Sequence, residues 1–102
     1  MNVLSVVVTR TFPGTAGYSV GKVGLLTLGR VIAEEYRREG VRVTNLIPGS
    51  TDTPLWDSLD FQPDRKDMLT AKAVAEAIRD LVTMPTDRNV DEMVLMPPKG
   101  IL

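Results

Sequence analysis

The sequence predicts an α/β fold in which a parallel sheet of about three strands is covered by helices. Three short segments, residues 2–8, 41–49 and 89–98, are rich in valine and other apolar residues, as buried strands are. Two longer segments between them carry apolar residues at spacings of three and four, which is typical of helices. Strands that alternate with helices are joined by right-handed crossovers, and this makes the sheet parallel.

The first strand is predicted over residues 2–8, whose sequence NVLSVVV is almost continuously apolar. A run of this kind indicates a strand that is buried on both faces. Pro13, Gly14 and Gly17 follow as turn residues, so we expect a turn between this strand and the first helix.

The longest helix is predicted to begin near Tyr18 and to end at Gly40, since glycine favours the left-handed conformation of a C-terminal cap. Each glycine inside this helix costs about 1 kcal/mol of helix propensity relative to alanine. We therefore expect another backbone or a ligand to approach the helix closely at Gly21, Gly24 and Gly29. The predicted core face carries Leu25, Leu28, Ile32 and Tyr36.

The second half of the chain continues the alternation of strands and helices. The strand over 41–49 ends in proline and glycine, and residues 50–67 form a long loop without a sustained period. Thr70 is the predicted N-cap of the second helix, and the last strand spans 89–98. The predicted core face of the second helix carries Val74, Ala75, Ile78, Leu81 and Val82.

Composition excludes several classes of protein. The chain has 12 basic and 13 acidic residues, a net charge of -1 and no block of like charge, so neither nucleic acid nor an anionic membrane is an expected partner. There is no cysteine for disulfides or thiolate metal sites, and the apolar run over 3–8 is too short for a signal or a membrane span. We expect one domain over residues 1–102, located in the cytoplasm.

The absence of histidine narrows the possible chemistry. It excludes Ser-His-Asp and Cys-His catalysis and the usual zinc sites, and no metal site is expected. The remaining candidates for general acid–base catalysis are tyrosine, lysine, serine and the carboxylates.

Tyr18 and Lys22 are four residues apart and share one helical face, with Cβ atoms about 5 to 6 Å apart. A phenol is a poor proton shuttle near neutral pH unless a positive charge favours the phenolate, and Lys22 is placed to supply that charge. Taken alone, the pair is explained more simply as a half-buried tyrosine beside a solvated lysine.

The surroundings of this pair carry further markers. Ser5 stands thirteen residues before Tyr18 in the first predicted strand, the sequence FPG lies between them, and PGSTDT begins at Pro48. This arrangement resembles the C-terminal half of the short-chain dehydrogenase/reductase family. In that family a strand carries the catalytic serine, a Y-x-x-x-K motif opens the next helix, and the following strand ends in P-G-x-x-x-T. The resemblance covers nearly the whole chain and favours common descent.

The resemblance implies hydride transfer between a nicotinamide cofactor, NAD or NADP, and the carbonyl or alcohol group of a small molecule. Ser5, Tyr18 and Lys22 would be the catalytic residues. Tyr18 would exchange a proton with the substrate oxygen, Lys22 would favour the phenolate and bond the nicotinamide ribose, and Ser5 would hold the substrate oxygen.

Two further groups of residues follow from the resemblance. From the residues alone, each functional role has a structural alternative. Ser5 is then a small core residue, Thr53 a turn residue, and Trp56 and Phe61 ordinary packing residues. The implied cofactor-binding residues are Tyr18, Lys22, Pro48, Gly49, Ser50, Thr51 and Thr53. The implied substrate loop carries Leu55, Trp56, Leu59 and Phe61.

The resemblance also implies a partial Rossmann-like, three-layer fold that corresponds to the C-terminal catalytic half of the family. Residues 1–102 contain no G-x-G-x-x-G motif to cradle the cofactor's pyrophosphate. The apolar first strand would also be an edge open to pairing with another chain. We therefore expect a homo-oligomer or a separate N-terminal half as partner.

Two other interpretations remain open from the sequence. The chain could be a non-catalytic truncated fragment that acts as a dimerisation or interaction module. It could also be a fragment without function, whose missing half is encoded upstream of Met1. The sequence names no substrate and does not distinguish NAD from NADP, because the selecting residue of the family lies in its N-terminal half.

Overall fold

The computed structural model describes residues 1–100. The predicted strands and helices occur in the predicted order, and short 3-10 helices lie between them over Val6–Val8, Arg37–Glu39, Pro54–Ser58 and Arg65–Asp67. The main elements are β1 (Asn2–Val3), α1 (Ala16–Tyr36), β2 (Asn45–Pro48), β3 (Thr51–Asp52), β4 (Leu69–Thr70), α2 (Ala71–Val82) and β5 (Glu92–Leu95).

Three parallel strands form the main sheet, which confirms the prediction. β2 lies in the centre, paired with β1 on one side and with β5 on the other. All four residues of β2 are buried, and Leu46 is fully enclosed. Ile47 belongs to the hydrophobic core together with Leu4, Val6 and Leu26. The central strand therefore has the apolar character of a strand covered on both faces.

The first strand is shorter than predicted, and a strand over 2–8 is wrong beyond Val3. The chain turns instead into the 3-10 helix Val6–Val8. Ser5 begins this turn, and its Oγ accepts a hydrogen bond from the Val7 N–H at 3.4 Å. A serine hydroxyl that bonds the local backbone competes with strand pairing. An apolar run alone does not distinguish such a buried turn from a strand.

The other predicted strands and helix caps are present, with shorter strands. β2 occupies the C-terminal half of the predicted segment 41–49, and β5 the middle of the predicted segment 89–98. Gly40 has a φ of 87°, the left-handed conformation predicted for a C-terminal cap. Thr70 caps α2 as predicted, because its Oγ1 accepts a hydrogen bond from the Ala73 N–H at 3.0 Å.

A second, smaller sheet lies at the borders of the predicted loop. β3 and β4 are parallel, and Thr51 pairs with Leu69 while Asp52 pairs with Thr70. This sheet was not predicted, because strands of two residues have no periodicity that a pattern could reveal.

Helix α2 packs against β3 and β4 with part of its predicted core face. Leu81 is buried, and Val74 and Ile78 are half-buried. Ala75 and Val82 are exposed, so the buried face is narrower than predicted.

The buried face of α1 is rotated from the predicted one. Leu25 and Ile32 are half-buried, but the prediction is wrong for Leu28, which is 53% exposed, and for Tyr36, which is also exposed. Small side chains let a helix approach a sheet closely, whereas leucine and tyrosine would hold it away. The face that the structure buries carries Leu26, Gly29 and Ala33.

Gly29 allows α1 to lie directly on a pair of buried amides. Asn2 Nδ2 of β1 donates to Asn45 Oδ1 of β2 at 2.9 Å, and Asn45 is only 2% exposed. A Cβ atom on Gly29 would lie 2.6 Å from Asn2 Nδ2 and would overlap Asn45 Oδ1. The expected close approach is confirmed at this glycine. At Gly21 and Gly24 a Cβ would meet no neighbouring atom within 4 Å in the part of the chain that the structure describes.

Two arginine pairs connect α1 to the far side of the sheet. Arg30 donates to both carboxylate oxygens of Glu92, at 2.7 and 2.8 Å, and Arg37 donates to both of Asp91, at 3.2 and 3.0 Å. These hydrogen bonds hold the pKa of each carboxyl group below its ordinary value. Exposed pairs of this kind contribute little to stability, but they orient α1 as it crosses the strands.

Replacing Gly29 with alanine should destabilise the fold by about 1 to 3 kcal/mol, because the added methyl group must displace the asparagine pair. Gly21→Ala is the matched control on the same helix: its methyl group meets no neighbour and should stabilise α1 by up to about 1 kcal/mol. Urea unfolding followed by circular dichroism measures both. Equal stability of the two variants would contradict the close packing at Gly29.

Candidate active site

Residues from three segments share the carboxyl edge of the main sheet. Ser5 lies two residues beyond β1, and Gly49 directly follows β2. Lys22 Nζ donates to the carbonyl oxygen of Val3 at 3.1 Å, which ties the first half of α1 to the end of β1. In parallel sheets, ligands bind at the edge where the strands end.

Tyr18 and Lys22 lie side by side near the start of α1. Lys22 Nζ is 5.7 Å from the centroid of the Tyr18 ring, within the range of a cation–π contact. Tyr18 is 48% exposed, so a small molecule can reach its hydroxyl group. The four-residue spacing thus places a phenol and an ammonium group together at the surface of the helix, where the phenol can exchange a proton with a bound oxygen.

Ser5 is half-buried at the start of the 3-10 helix Val6–Val8. Its Oγ accepts a hydrogen bond from Val7, which leaves the hydroxyl hydrogen able to donate. Val6 lies in the same core cluster as Leu26, so the turn that carries the serine is held against α1.

The packing of the fold requires a glycine at position 49. Its N–H donates to the Leu95 carbonyl oxygen of β5 at 2.8 Å. A Cβ atom at this position would lie 2.9 Å from Pro97 Cδ and 3.0 Å from Met96 Sδ. Pro48, before it, is buried as the last residue of β2. The N–H of Gly49 is therefore engaged within the fold, and the segment after β5 accounts for the glycine.

Polar groups line the turn that leads from β2 into β3. The Thr51 hydroxyl donates to the carbonyl oxygen of Gly49 at 3.0 Å, and the Ser50 carbonyl accepts a hydrogen bond from β4 at 2.8 Å. Thr53 is half-buried at the start of the 3-10 helix Pro54–Ser58, but its hydroxyl does not cap that helix. Thr51 is thus committed to the fold, whereas the Thr53 hydroxyl can serve a ligand.

The loop after Thr53 leaves most of its apolar side chains in solvent. Leu55, Leu59 and Phe61 are exposed. Trp56 is half-buried, and its Nε1–H donates to the carbonyl oxygen of Thr51 at 2.9 Å. The structure therefore brings only the tryptophan back towards β3. The closing of this loop over a substrate stays a prediction.

Arg65, which was not predicted as a site residue, joins separate parts of this loop. Its guanidinium donates to Asp52 Oδ1 at 3.3 Å and to Asp57 Oδ1 at 2.6 Å. Lys99 Nζ donates to Asp67 Oδ1 at 2.8 Å, at the end of the same segment. These partners lie 13, 8 and 32 residues apart, so no periodic signal in the sequence marks them.

Two features of other functional classes do not occur among residues 1–100. No three acidic residues are grouped so that they could hold a metal ion. No helix in this range has both the length and the apolar character needed to cross a membrane.

Comparison with known proteins shows the family. Residues 1–85 match the family model described as enoyl-(acyl carrier protein) reductase. A solved structure described as a short chain dehydrogenase/reductase family protein is 28% identical, with a TM-score of 0.79 over 94% of this chain and 43% of that one. The chain belongs to the short-chain dehydrogenase/reductase family.

Two further proteins are similar to this chain. An uncharacterized oxidoreductase of Staphylococcus epidermidis is 33% identical over 82 residues, which is 80% of this chain and 35% of the relative. An alcohol dehydrogenase of the archaeon Thermococcus sibiricus, solved in complex with 5-hydroxy-NADP, is 32% identical. Its TM-score is 0.78 over 94% of this chain and 40% of that one. The chain thus spans less than half the length of these relatives.

The residues at the carboxyl edge fit one end of the nicotinamide cofactor of this family. Tyr18 and Lys22 offer a hydroxyl and an ammonium donor on one exposed face, and the Thr53 hydroxyl lies beyond the end of β2. The pyrophosphate has no corresponding cradle, since the sequence contains no glycine-rich phosphate motif. The fit is therefore to the nicotinamide and its ribose.

Gly49→Ala should destabilise the protein by about 1 to 3 kcal/mol in the absence of any cofactor, because the methyl group would collide with Pro97 and Met96. Gly17→Ala is a control, since a Cβ there has no neighbour within 4 Å. Thermal unfolding of both variants without added nucleotide measures the difference. If Gly49→Ala retained full stability and lost only nucleotide binding, the glycine would serve the cofactor and not the fold.

Proposed function

We propose that this protein takes part in hydride transfer between a nicotinamide cofactor and the carbonyl or alcohol group of a small molecule. The position of Lys22 carries the proposal: its Nζ bonds the end of β1 and lies beside the Tyr18 ring. A cation and a phenol therefore stand at the edge of the sheet where Ser5 also lies. Membership of the short-chain dehydrogenase/reductase family supports the same class of reaction.

Tyr18 is the proposed general acid in reduction and general base in oxidation. The substrate oxygen accepts hydrogen bonds from the hydroxyl groups of Tyr18 and Ser5. When bound, the cofactor supplies the hydride that the carbonyl carbon receives. Tyr18 gives its proton to the oxygen, and the Lys22 ammonium stabilises the phenolate that remains. Oxidation of an alcohol follows the same steps in reverse.

NAD or NADP is the proposed cofactor, and this chain is proposed to hold its nicotinamide end. Lys22 bonds the ribose, and Thr53 with the turn at Ser50 and Thr51 contacts the carboxamide or the pyrophosphate. Because residues 1–102 contain no glycine-rich phosphate motif, a segment or chain outside them is proposed to bind the rest of the cofactor.

The exposed apolar side chains of the loop are proposed to cover the substrate. These apolar side chains are in contact with water, and a bound organic molecule would remove their surface from water, which is favourable. An apolar carbonyl or alcohol substrate fits this surface best. The exposed residues are Leu55, Leu59 and Phe61, and the half-buried Trp56 is proposed to contact the substrate with them.

A second copy of the chain is proposed to cover the outer face of α1. Val20 is 74% exposed, and Val23, Leu28 and Val31 are exposed on the same side of the helix. Gly24 lies within this stripe, and a Cβ there would meet no atom of the chain. Such a stripe along a helix of 21 residues suits close packing against another helix.

Tyr18→Phe should lower the rate of carbonyl reduction by about 100- to 10,000-fold, since the proton donor is lost, while circular dichroism stays unchanged. Tyr36→Phe, which removes the hydroxyl of the other tyrosine on α1, should leave the rate unaltered. NADH or NADPH oxidation with a panel of aldehydes and ketones measures both variants. Wild-type turnover by Tyr18→Phe would overturn the proposed role.

Val20→Lys should shift the protein towards the monomer, because a charge on the apolar stripe cannot be covered by a second copy without cost. Val94→Lys is the control, as Val94 is also exposed, at 56%, but lies on β5. Sedimentation velocity over a range of concentrations measures the assembly state. A wild-type chain that stays monomeric at all concentrations would contradict the proposed interface.

A further inference from the structure

We infer that Arg65 is a positioning residue: by bridging Asp52 and Asp57 it closes the loop over residues 53–64 and sets how this loop lies beside the carboxyl edge. The loop carries the side chains that are proposed to cover a substrate. The inference concerns the conformation of the loop, so it does not depend on the proposed hydride transfer.

The loop has no hydrophobic anchor of its own. Between residues 50 and 67, all of which the structure describes, no side chain is buried. Burial resumes only at Met68 and Leu69, where β4 begins. A segment with few buried apolar contacts has little intrinsic resistance to local opening. Its conformation therefore depends on polar contacts.

The pairing of β3 with β4 joins the two ends of the loop, but most polar contacts inside the loop are local and do not fix its path between those ends. The side chains of Ser58 and Gln62 each donate to a carbonyl oxygen three residues earlier, which stabilises single turns. Such bonds persist whether the loop lies against the sheet or swings away. The bonds of Arg65 are different, because they reach across 8 residues to Asp57 and across 13 to Asp52.

The guanidinium group is suited to this bridge. Nη2 lies 2.6 Å from Asp57 Oδ1 and Nη1 lies 3.3 Å from Asp52 Oδ1, so two nitrogens serve two carboxylates. The Arg65 side chain is 35% exposed, compared with 68% for Arg79 on the surface of α2. A lysine is a single point charge and cannot reproduce the planar fork. The bridge connects the 3-10 helix Pro54–Ser58 to the end of β3.

Removing Arg65 would leave the carboxylates of Asp52 and Asp57 without their shared cation. Like charges repel each other, so the contact would turn from attraction to repulsion. Trp56 lies inside the bridged segment and bonds Thr51, and it is the only tryptophan in the sequence. Its fluorescence therefore reports the position of the loop.

Arg65→Gln should speed hydrogen exchange at the Trp56 and Leu59 amides, which are bonded within the loop, by about 2- to 5-fold. Trp56 emission should shift to longer wavelength as the indole enters water. The Gly49 amide, bonded to β5, should exchange at the wild-type rate. Arg65→Lys should give intermediate exchange rates. All measurements use the 102-residue chain without cofactor or substrate, so failure of the proposed catalysis leaves their outcome unaffected.

Arg79→Gln is the matched control, because Arg79 pairs with its chain neighbour Asp80 and should not affect the loop. Asp57→Asn should speed exchange in the loop but add little in the Arg65→Gln background, since both changes remove the same contact. Three outcomes would overturn the inference: unchanged loop exchange in Arg65→Gln, an equal change in Arg79→Gln, or equal acceleration at Gly49, which would indicate general destabilisation.

Discussion

The packing of α1 on the buried amide pair of Asn2 and Asn45 is the contact on which the rest of the structure depends. The half-buried Asn2 amide donates to the buried Asn45 amide between β1 and β2, and a shift of register would break this hydrogen bond. Gly29 lets the helix lie on this pair. With the helix seated there, Lys22 meets the end of β1 and Arg37 reaches the residue before β5. The packing of α1 on these two asparagines thus positions both the fold and the candidate site.

Much of the fold could be predicted because most elements carry a local signal. Thr70 and Gly40 mark helix ends through their own chemistry, and the apolar run of β2 marks a buried strand. The inward face of α1 could not be predicted, since the helix has two apolar faces. Periodicity gives the interval between buried residues but does not say whether Leu26 or Leu28 points inward. That choice depends on Gly29, because the side chains that it contacts, Asn2 and Asn45, lie on strands distant in sequence.

Part of the candidate site could likewise be predicted from the sequence, and part could not. Tyr18 and Lys22 could be predicted, because helix geometry turns a spacing of four residues into proximity. Gly49 is an ambiguous signal: a glycine marks a close approach without naming what approaches, and here it is the chain after β5. The bridge made by Arg65 depends on how the loop folds back over many residues, and no local pattern encodes that path.

The topology of the main sheet has a consequence for the kinetics of folding. Asn2 and Asn45 are 43 residues apart, and Asn45 pairs in turn with Glu92 of β5, so the contacts that assemble the sheet are long-range in sequence. Helices form from local contacts within about a microsecond, whereas distant strands meet only after the entropy of closing large loops is lost. β2 pairs on both sides and is the strand on which the others assemble. Until they arrive, its unpaired backbone and apolar side chains are open to association with other chains.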